Sequence, residues 1–304
     1  MVIAQEEPDV MMISEVIPKA QKNPIAATLI SLEGYELYTN FKFDDINLGS
    51  SGIRGVAIYV KTNLSSNEIK LDIADQHRDQ VWVEIDLNNN EKLVCGCVYR
   101  SPNKDKEISS LNSKSISESI SRAVQRKPTY ILIAGDFNFK EIDWENEYVV
   151  GESGDREIQS VTSNKHISMF LETLQDLFLT QHITEPTRYR EGEAPSLLDL
   201  IISNEEGMIR NLRYLPALGD SDHVCIRFEV DCSEQRRTQR HTPTPNYYKA
   251  DYATIKNNLK SIDWSNLLNK TVSKDYSVFR EHLKSAIEGC VPNRIAPKAR
   301  KIYI

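Results

Sequence analysis

The chain has 304 residues, with 37 Lys+Arg against 44 Asp+Glu, a formal charge of −7, and 40% hydrophobic and 27% charged residues. These proportions suit a soluble globular protein and exclude collagen-like, mucin-like and wholly disordered classes. The charge is unevenly spread: residues 232–304 hold 14 Lys+Arg against 6 Asp+Glu, a net +8, which leaves 23 against 38, a net −15, for residues 1–231. An acidic body argues against a generic nucleic-acid-coating surface and suits a carboxylate metal site, whereas the basic tail reads first as solvated helix faces and second as a polyanion contact.

Short β-branched or apolar runs predict strands at 10–13, 56–60, 81–85, 93–99, 130–134, 197–202 and 224–230, several with the period of two that marks one buried face. Helical spacing appears at 111–126, through Leu111, Ile116, Ile120 and Val124, and more strongly at 164–178, through Ile167, Phe170, Leu171, Leu174 and Leu177. Strands outnumber helices, so two face-packed sheets with peripheral helices explain the pattern better than a doubly wound parallel sheet. A Pro- and Arg-containing stretch, 236–246, reads as a linker. Beyond it, Tyr252, Ile255 and Leu259 predict one helix, and Ser273 as N-cap, with Gly289 as stop and Pro292 beyond, predicts a second. Five scattered cysteines without metal-ligand spacing fit a reducing, intracellular compartment, and the acidic N-terminus carries no signal-peptide or membrane-spanning pattern.

Three segments carry groups suited to chemistry. In Ile131–Asn138 an apolar strand reaches a glycine and delivers Asp136 and Asn138, two residues apart and so on one side. An ionised Asp can orient a water and an Asn amide can donate to a phosphate oxygen, although both residues are also favoured in plain turns. In Leu218–His223 the imidazole of His223 abuts Asp220 and Asp222 at a strand entrance, where a carboxylate can fix its tautomer. Asp199 interrupts an apolar strand and needs a partner there. Glu15 closes the first apolar run, a position for an oxygen ligand to Mg²⁺ or for a solvated acid. Cys95 and Cys97 read as packing groups, Trp82 and Trp144 read first as core or surface-turn residues and second as rings that stack on bases, and His166, His182 and His282 receive no role.

In chain order these are Glu15 after a strand, Tyr99 in Val98–Asn103, Gly135-Asp136-Phe137-Asn138, Asp199 in a strand, and Ser221-Asp222-His223. Over residues 1–231 this ordered set resembles the endonuclease/exonuclease/phosphatase family. Gly55–Lys61, Glu141–Trp144 and Glu185-Pro186-Thr187-Arg188 up to Asp199 look typical of the endonuclease domains of non-LTR (LINE-type) retrotransposons. The resemblance implies an α/β (α+β) four-layered sandwich of two mixed β-sheets flanked by helices, followed by a linker at 232–248 and a helical appendage at 249–304 that precedes an absent reverse transcriptase. It implies a nuclease that nicks DNA with Mg²⁺, or Mn²⁺ in its place. By that resemblance Glu15 is a metal ligand with Asp222 near the metal, Asp136 orients the attacking water, Asn138 holds the scissile phosphate and Tyr99 donates to it. Asp199 then buttresses His223, which stabilises the pentacovalent phosphate.

Family members open with a strand bearing an Asn and a helix before the Glu strand, whereas this chain starts at the end of that helix, near Gln5–Asp9. One core strand is therefore expected to be missing. Two further readings follow: a truncated, inactive relic that acts as a binding module, and a phosphatase of the same fold acting on another phosphoester.

Overall fold

The structure is a computed structural model, and it describes residues 7–18, 25–43, 45, 53–73, 78–103, 105–150, 165–232, 244–245, 250–267, 272–291 and 293–294. Most of the expected linker, together with Pro292 and the first six residues, lies outside the described residues.

In chain order the described strands up to Val230 are β1 (Val10–Ser14), β2 (Tyr35–Thr39), β3 (Val56–Lys61), β4 (Ser66–Glu68), β5 (Gln80–Asp86), β6 (Lys92–Val98), β7 (Tyr130–Asp136), β8 (Ile142–Asp143), β9 (Tyr148–Val149), β10 (Thr180–Gln181), β11 (Asp199–Ser203), β12 (Ile209–Leu215) and β13 (Cys225–Val230). Helix α1 (Lys106–Gln125) joins β6 to β7, and α2 (Lys165–Asp176) precedes β10. One sheet has the order β1-β3-β2, a second β10-β11-β7-β6-β5-β4, and β12 and β13 form a two-stranded ribbon. The second sheet is mixed: β6 and β7 are parallel, whereas every other pair described is antiparallel. A parallel pair needs a long crossover, and α1 supplies it. Asp105 caps that helix by accepting from the Glu107 and Ile108 amides, so it starts five residues before the first apolar residue of its stripe.

Alternation within the strands of the second sheet sorts their side chains into two cores. Val81, Val83, Ile85, Leu93, Cys95 and Cys97 pack with Val56, Ile58 and Val60 of β3 and with Phe228 of β13, so this layer lies between the sheets. On the other face Trp82, Val94, Val98, Ile131 and Ile133 meet Ile116, Ile120 and Ala123 of α1 and Ile167, Phe170 and Leu174 of α2. Cys95 and Cys97 are thus core residues, as is Trp82, whose indole N–H donates to Gln80 at 2.8 Å. Gly96 permits that packing, because a Cβ there would sit 2.5 Å from the Trp82 ring.

β1 has β3 as its neighbour and β13 has β12, and each presents its other edge to one cavity of about 970 Å³. Among the described residues no strand joins β1 to β13 across that cavity, the place where a further strand would make the smaller sheet continuous.

The chain divides into two compact units, the first from Met1 to Arg237 and the second covering Thr238–Arg300. Among its described residues the second unit contains α3 (Tyr252–Lys260), α4 (Trp264–Leu267) and α5 (Val272–Ile287), three helices where spacing predicts two. Ser273 is the second residue of α5 rather than its cap. Asp251 caps α3, and the Trp264 ring packs 5.6 Å from Phe279 and 5.9 Å from His282. No described helix is long and apolar enough to cross a membrane.

Candidate active site

Asp136 is the last residue of β7 and faces Asp199, the first residue of β11, as its register partner. The turn that follows depends on Gly135, whose φ of 142° and close approach to β6 leave no room for a side chain: a Cβ would lie 1.9 Å from the Val98 carbonyl oxygen. Asn138 takes φ 51°, a conformation Asn tolerates, and its backbone N–H donates to Asp136 Oδ1 at 3.1 Å. Beneath this turn is the buried guanidinium of Arg100, which donates to the Asn138 carbonyl at 3.1 Å and to Ser109 and Ser113 of α1, and stacks 4.3 Å over Phe139. The Asn138 amide returns a bond to the Arg100 carbonyl at 2.9 Å. Helix α1 thereby sets the turn that carries Asp136 and Asn138.

Asp136 is only 5% exposed. Burial first, and then the charge of Asp199, push its carboxyl pKa up to about 8, although His223 and the bonds from Asn138 pull the other way. His223 Nδ1 is 2.7 Å from Asp199 Oδ2. Burial depresses the imidazole pKa, but the bond to Asp199 and the charges of Asp199, Asp136 and Asp222 outweigh it, so the net shift is upward. With Nδ1 bound, Nε2 is the nitrogen available for proton transfer.

Asp222 meets two guanidiniums, Arg188 Nε at 2.9 Å and Arg190 Nη2 at 2.8 Å. Burial would raise its pKa, but those arginines and His223 hold it below the usual carboxylate range. Glu15 adopts φ 56°, a strained conformation for a glutamate. It accepts from the Tyr99 hydroxyl and from Arg54 Nε at 3.3 Å. Burial, and secondly Glu15, push the Tyr99 phenol pKa upward.

Glu15, Asp136, Asp199, Asp222 and His223 all line the same cavity. Residues spread over more than two hundred positions of sequence are thus brought to one opening, with Tyr99 reaching it through Glu15 and Asn138 held at the Asp136 turn. A donor-oriented imidazole beside the buried Asp136 and the partly buried Asp199 can move protons to and from a polar substrate and can stabilise developing negative charge, the requirements of a hydrolysis. Among the described residues no group of three or more His, Cys, Asp or Glu is arranged around one metal position. Mg²⁺ does not require one, since it binds through one or two carboxylates and retains waters. The partly exposed Glu15 carboxylate, at a cavity that Asp136, Asp199 and Asp222 also line, therefore fits such an ion.

Arg54, Arg100, Thr187, Arg188 and Arg190 were given no role by sequence reasoning. Each acts by contacting a residue distant in the chain, and although Thr187 and Arg188 stand in a run that carries the resemblance, nothing local in that run says what they hold.

Residues 93–227 match the family model described as Endonuclease-reverse transcriptase. No curated protein matches the chain. Among solved structures the fold is similar to the endonuclease domain of TRAS1, a telomere-specific non-LTR retrotransposon, at 19% identity and a TM-score of 0.50, covering 75% of this chain and 88% of that one. It is similar to the Xenopus laevis APE2 catalytic domain at 14% identity and a TM-score of 0.52, covering 77% and 86%. A third likeness is to the 3'-5' exonuclease NExo of Neisseria meningitidis, at 15% identity and a TM-score of 0.50, covering 76% and 92%. The matched segment 93–227 and the shared sheets and helices together point to an endonuclease/exonuclease/phosphatase fold.

Proposed function

We propose that the first unit is a Mg²⁺-dependent DNA endonuclease of retrotransposon type, which nicks one strand and leaves a 3′-hydroxyl. The observation that carries this reading is the Asp199–His223 pair beside Asp136, at a cavity that Glu15 and Asp222 also line. Asp136 orients the attacking water and takes its proton. Asn138 positions the scissile phosphate, and Tyr99 donates to it from the side. His223, held by Asp199, stabilises the charge that builds on the phosphate. Glu15 would hold the metal ion, with Asp222 near it. The ion supplies neutralisation of developing negative charge, which the net-acidic residues around it do not. The +8 of residues 232–304 adds a second contact for a polyanionic strand, and a reverse transcriptase encoded downstream would use the 3′-hydroxyl.

The test is nicking of supercoiled plasmid. It should require Mg²⁺, stop on addition of EDTA, and fall by about 10²–10⁴-fold in His223→Ala and in Asp136→Asn, the range for loss of a general acid or base. Cleavage undiminished in either variant rejects the assigned roles. The gap between β1 and β13 favours a second reading, an inactive relic that serves as a binding module. Calorimetry without a Mg²⁺ heat, together with a broad unfolding transition, would select that reading.

A further inference from the structure

We infer that Thr187 and Arg188 are positioning residues that lock the Asp199–His223 pair, an inference that rests on the hydrolase reading above. The two partners belong to separate pieces of the fold: Asp199 opens β11 in the six-stranded sheet, and His223 enters β13 of the two-stranded ribbon. Their 2.7 Å bond survives only if those pieces are fixed relative to one another.

The segment 187–189 makes that connection. Thr187 is fully buried. Its Oγ1 accepts from the Leu198 amide at 3.1 Å and the Asp199 amide at 3.0 Å. Its carbonyl accepts from the Val224 amide at 2.9 Å. One residue therefore holds the backbone of Asp199 and the neighbour of His223. Arg188 pairs its backbone with Ser196 in both directions, at 3.0 and 3.1 Å, and forms an isolated bridge to His223. Its side chain, 9% exposed, bonds Asp222 Oδ2 through Nε and Glu193 Oε2 through Nη1, both at 2.9 Å. The Tyr189 amide then donates to the Asp222 carbonyl at 2.8 Å. His223 is thus braced through both of its chain neighbours.

The arithmetic of burial separates these contacts from the nearby Arg190. That side chain also reaches Asp222 but is 55% exposed, so solvent screens it and its loss is mild. Removing the Thr187 hydroxyl, in contrast, strands the Leu198 and Asp199 amides without an acceptor inside the protein. The backbone at Asp199 must then shift to find one, and the carboxylate moves with it.

The experiment uses the full chain, with kcat and KM for plasmid nicking and the ¹⁵N imidazole spectrum of His223 as two independent readings. Thr187→Val, nearly the same shape, should lower kcat by about 10²-fold with KM held, the effect of a misplacement on the order of 1 Å. The His223 spectrum should change from one tautomer to a mixture. Thr187→Ser, which restores the hydroxyl, should recover both readings. Arg188→Met should reproduce the Val phenotype, and it decides the matter by the same two readings if Thr187→Val does not fold. Wild-type spectra and kcat in Thr187→Val and Arg188→Met overturn the inference. If the unmutated chain does not cut DNA, the hydrolase reading fails, and the His223 spectrum still tests the lock.

Discussion

At Asp136 the requirements of stability and chemistry oppose each other. Its folded pKa of about 8 lies above the ordinary carboxylate value of 3.8, so protonation favours the folded state. The metal-free protein therefore loses stability as pH rises from about 4 through about 8. Asp136→Asn, which cannot ionise, should therefore raise the metal-free melting temperature at pH 8.5 and give no gain near pH 4, while nicking is lost. Thermal unfolding of both proteins at the two pH values checks it, and an equal or lower melting temperature for the variant at pH 8.5 would contradict the assigned burial cost. His223 provides the complementary case. Burial lowers its pKa and Asp199 raises it, so Asp199→Asn should move the imidazole titration to lower pH, as read from its ring-proton shifts. Asp136, Asn138, Asp199 and His223 were legible in the sequence because polar residues at the ends of apolar strands stand out. Their partners were not: Arg188, for example, becomes informative only when its 2.9 Å bond to Asp222 is known.

Among the elements, β7 ends at Gly135 and Asp136 because β6 runs parallel and close alongside. Gly135→Ala would drive a methyl into the Val98 carbonyl and demand a strained φ, at a cost of at least about 3 kcal/mol in stability; chemical denaturation should show it, and a cost below about 1 kcal/mol would contradict the close approach. Phe170 of α2 packs 5.5 Å from Phe137 and 4.5 Å from Phe139, so Phe170→Ala should cost about 3–5 kcal/mol and loosen the Asn138 turn behind which those rings sit. The strong strands β1, β3, β5, β6, β7, β11 and β13 were each marked by an apolar run. β2, β4 and β12, and the two-residue β8, β9 and β10, were not, for identifiable reasons. β4 is three residues long at a sheet edge. β12 carries a register shift between Arg210 and Arg213, with Asn211 at φ 51°, which breaks the period of two on which strand recognition depends. In β2 every residue is half-buried, so no face contrasts with the other.

For the whole molecule, the cavity between β1 and β13 is both the mouth of the site and a break in the smaller sheet. β3 has neighbours on both sides, whereas β1 has one among the described residues. Hydrogen exchange should therefore find Val56–Lys61 protected throughout and β1 protected at alternate amides, with those facing the cavity exchanging orders of magnitude faster. Uniform protection along β1 would mean that another segment occupies the gap. The amino-acid sequence by itself determined the strand-rich class, the two principal helices, the ordered set of acids and imidazole, and through that order the resemblance to a nuclease fold, because all of these are carried by local pattern and spacing. Tertiary structure alone decided the parallel β6–β7 pair, the shared opening of Glu15, Asp136, Asp199, Asp222 and His223, the upward shift at Asp136, and the brace through Thr187 and Arg188. Those properties depend on burial and on distances between residues remote in the chain, and neither exists until the sheets have packed.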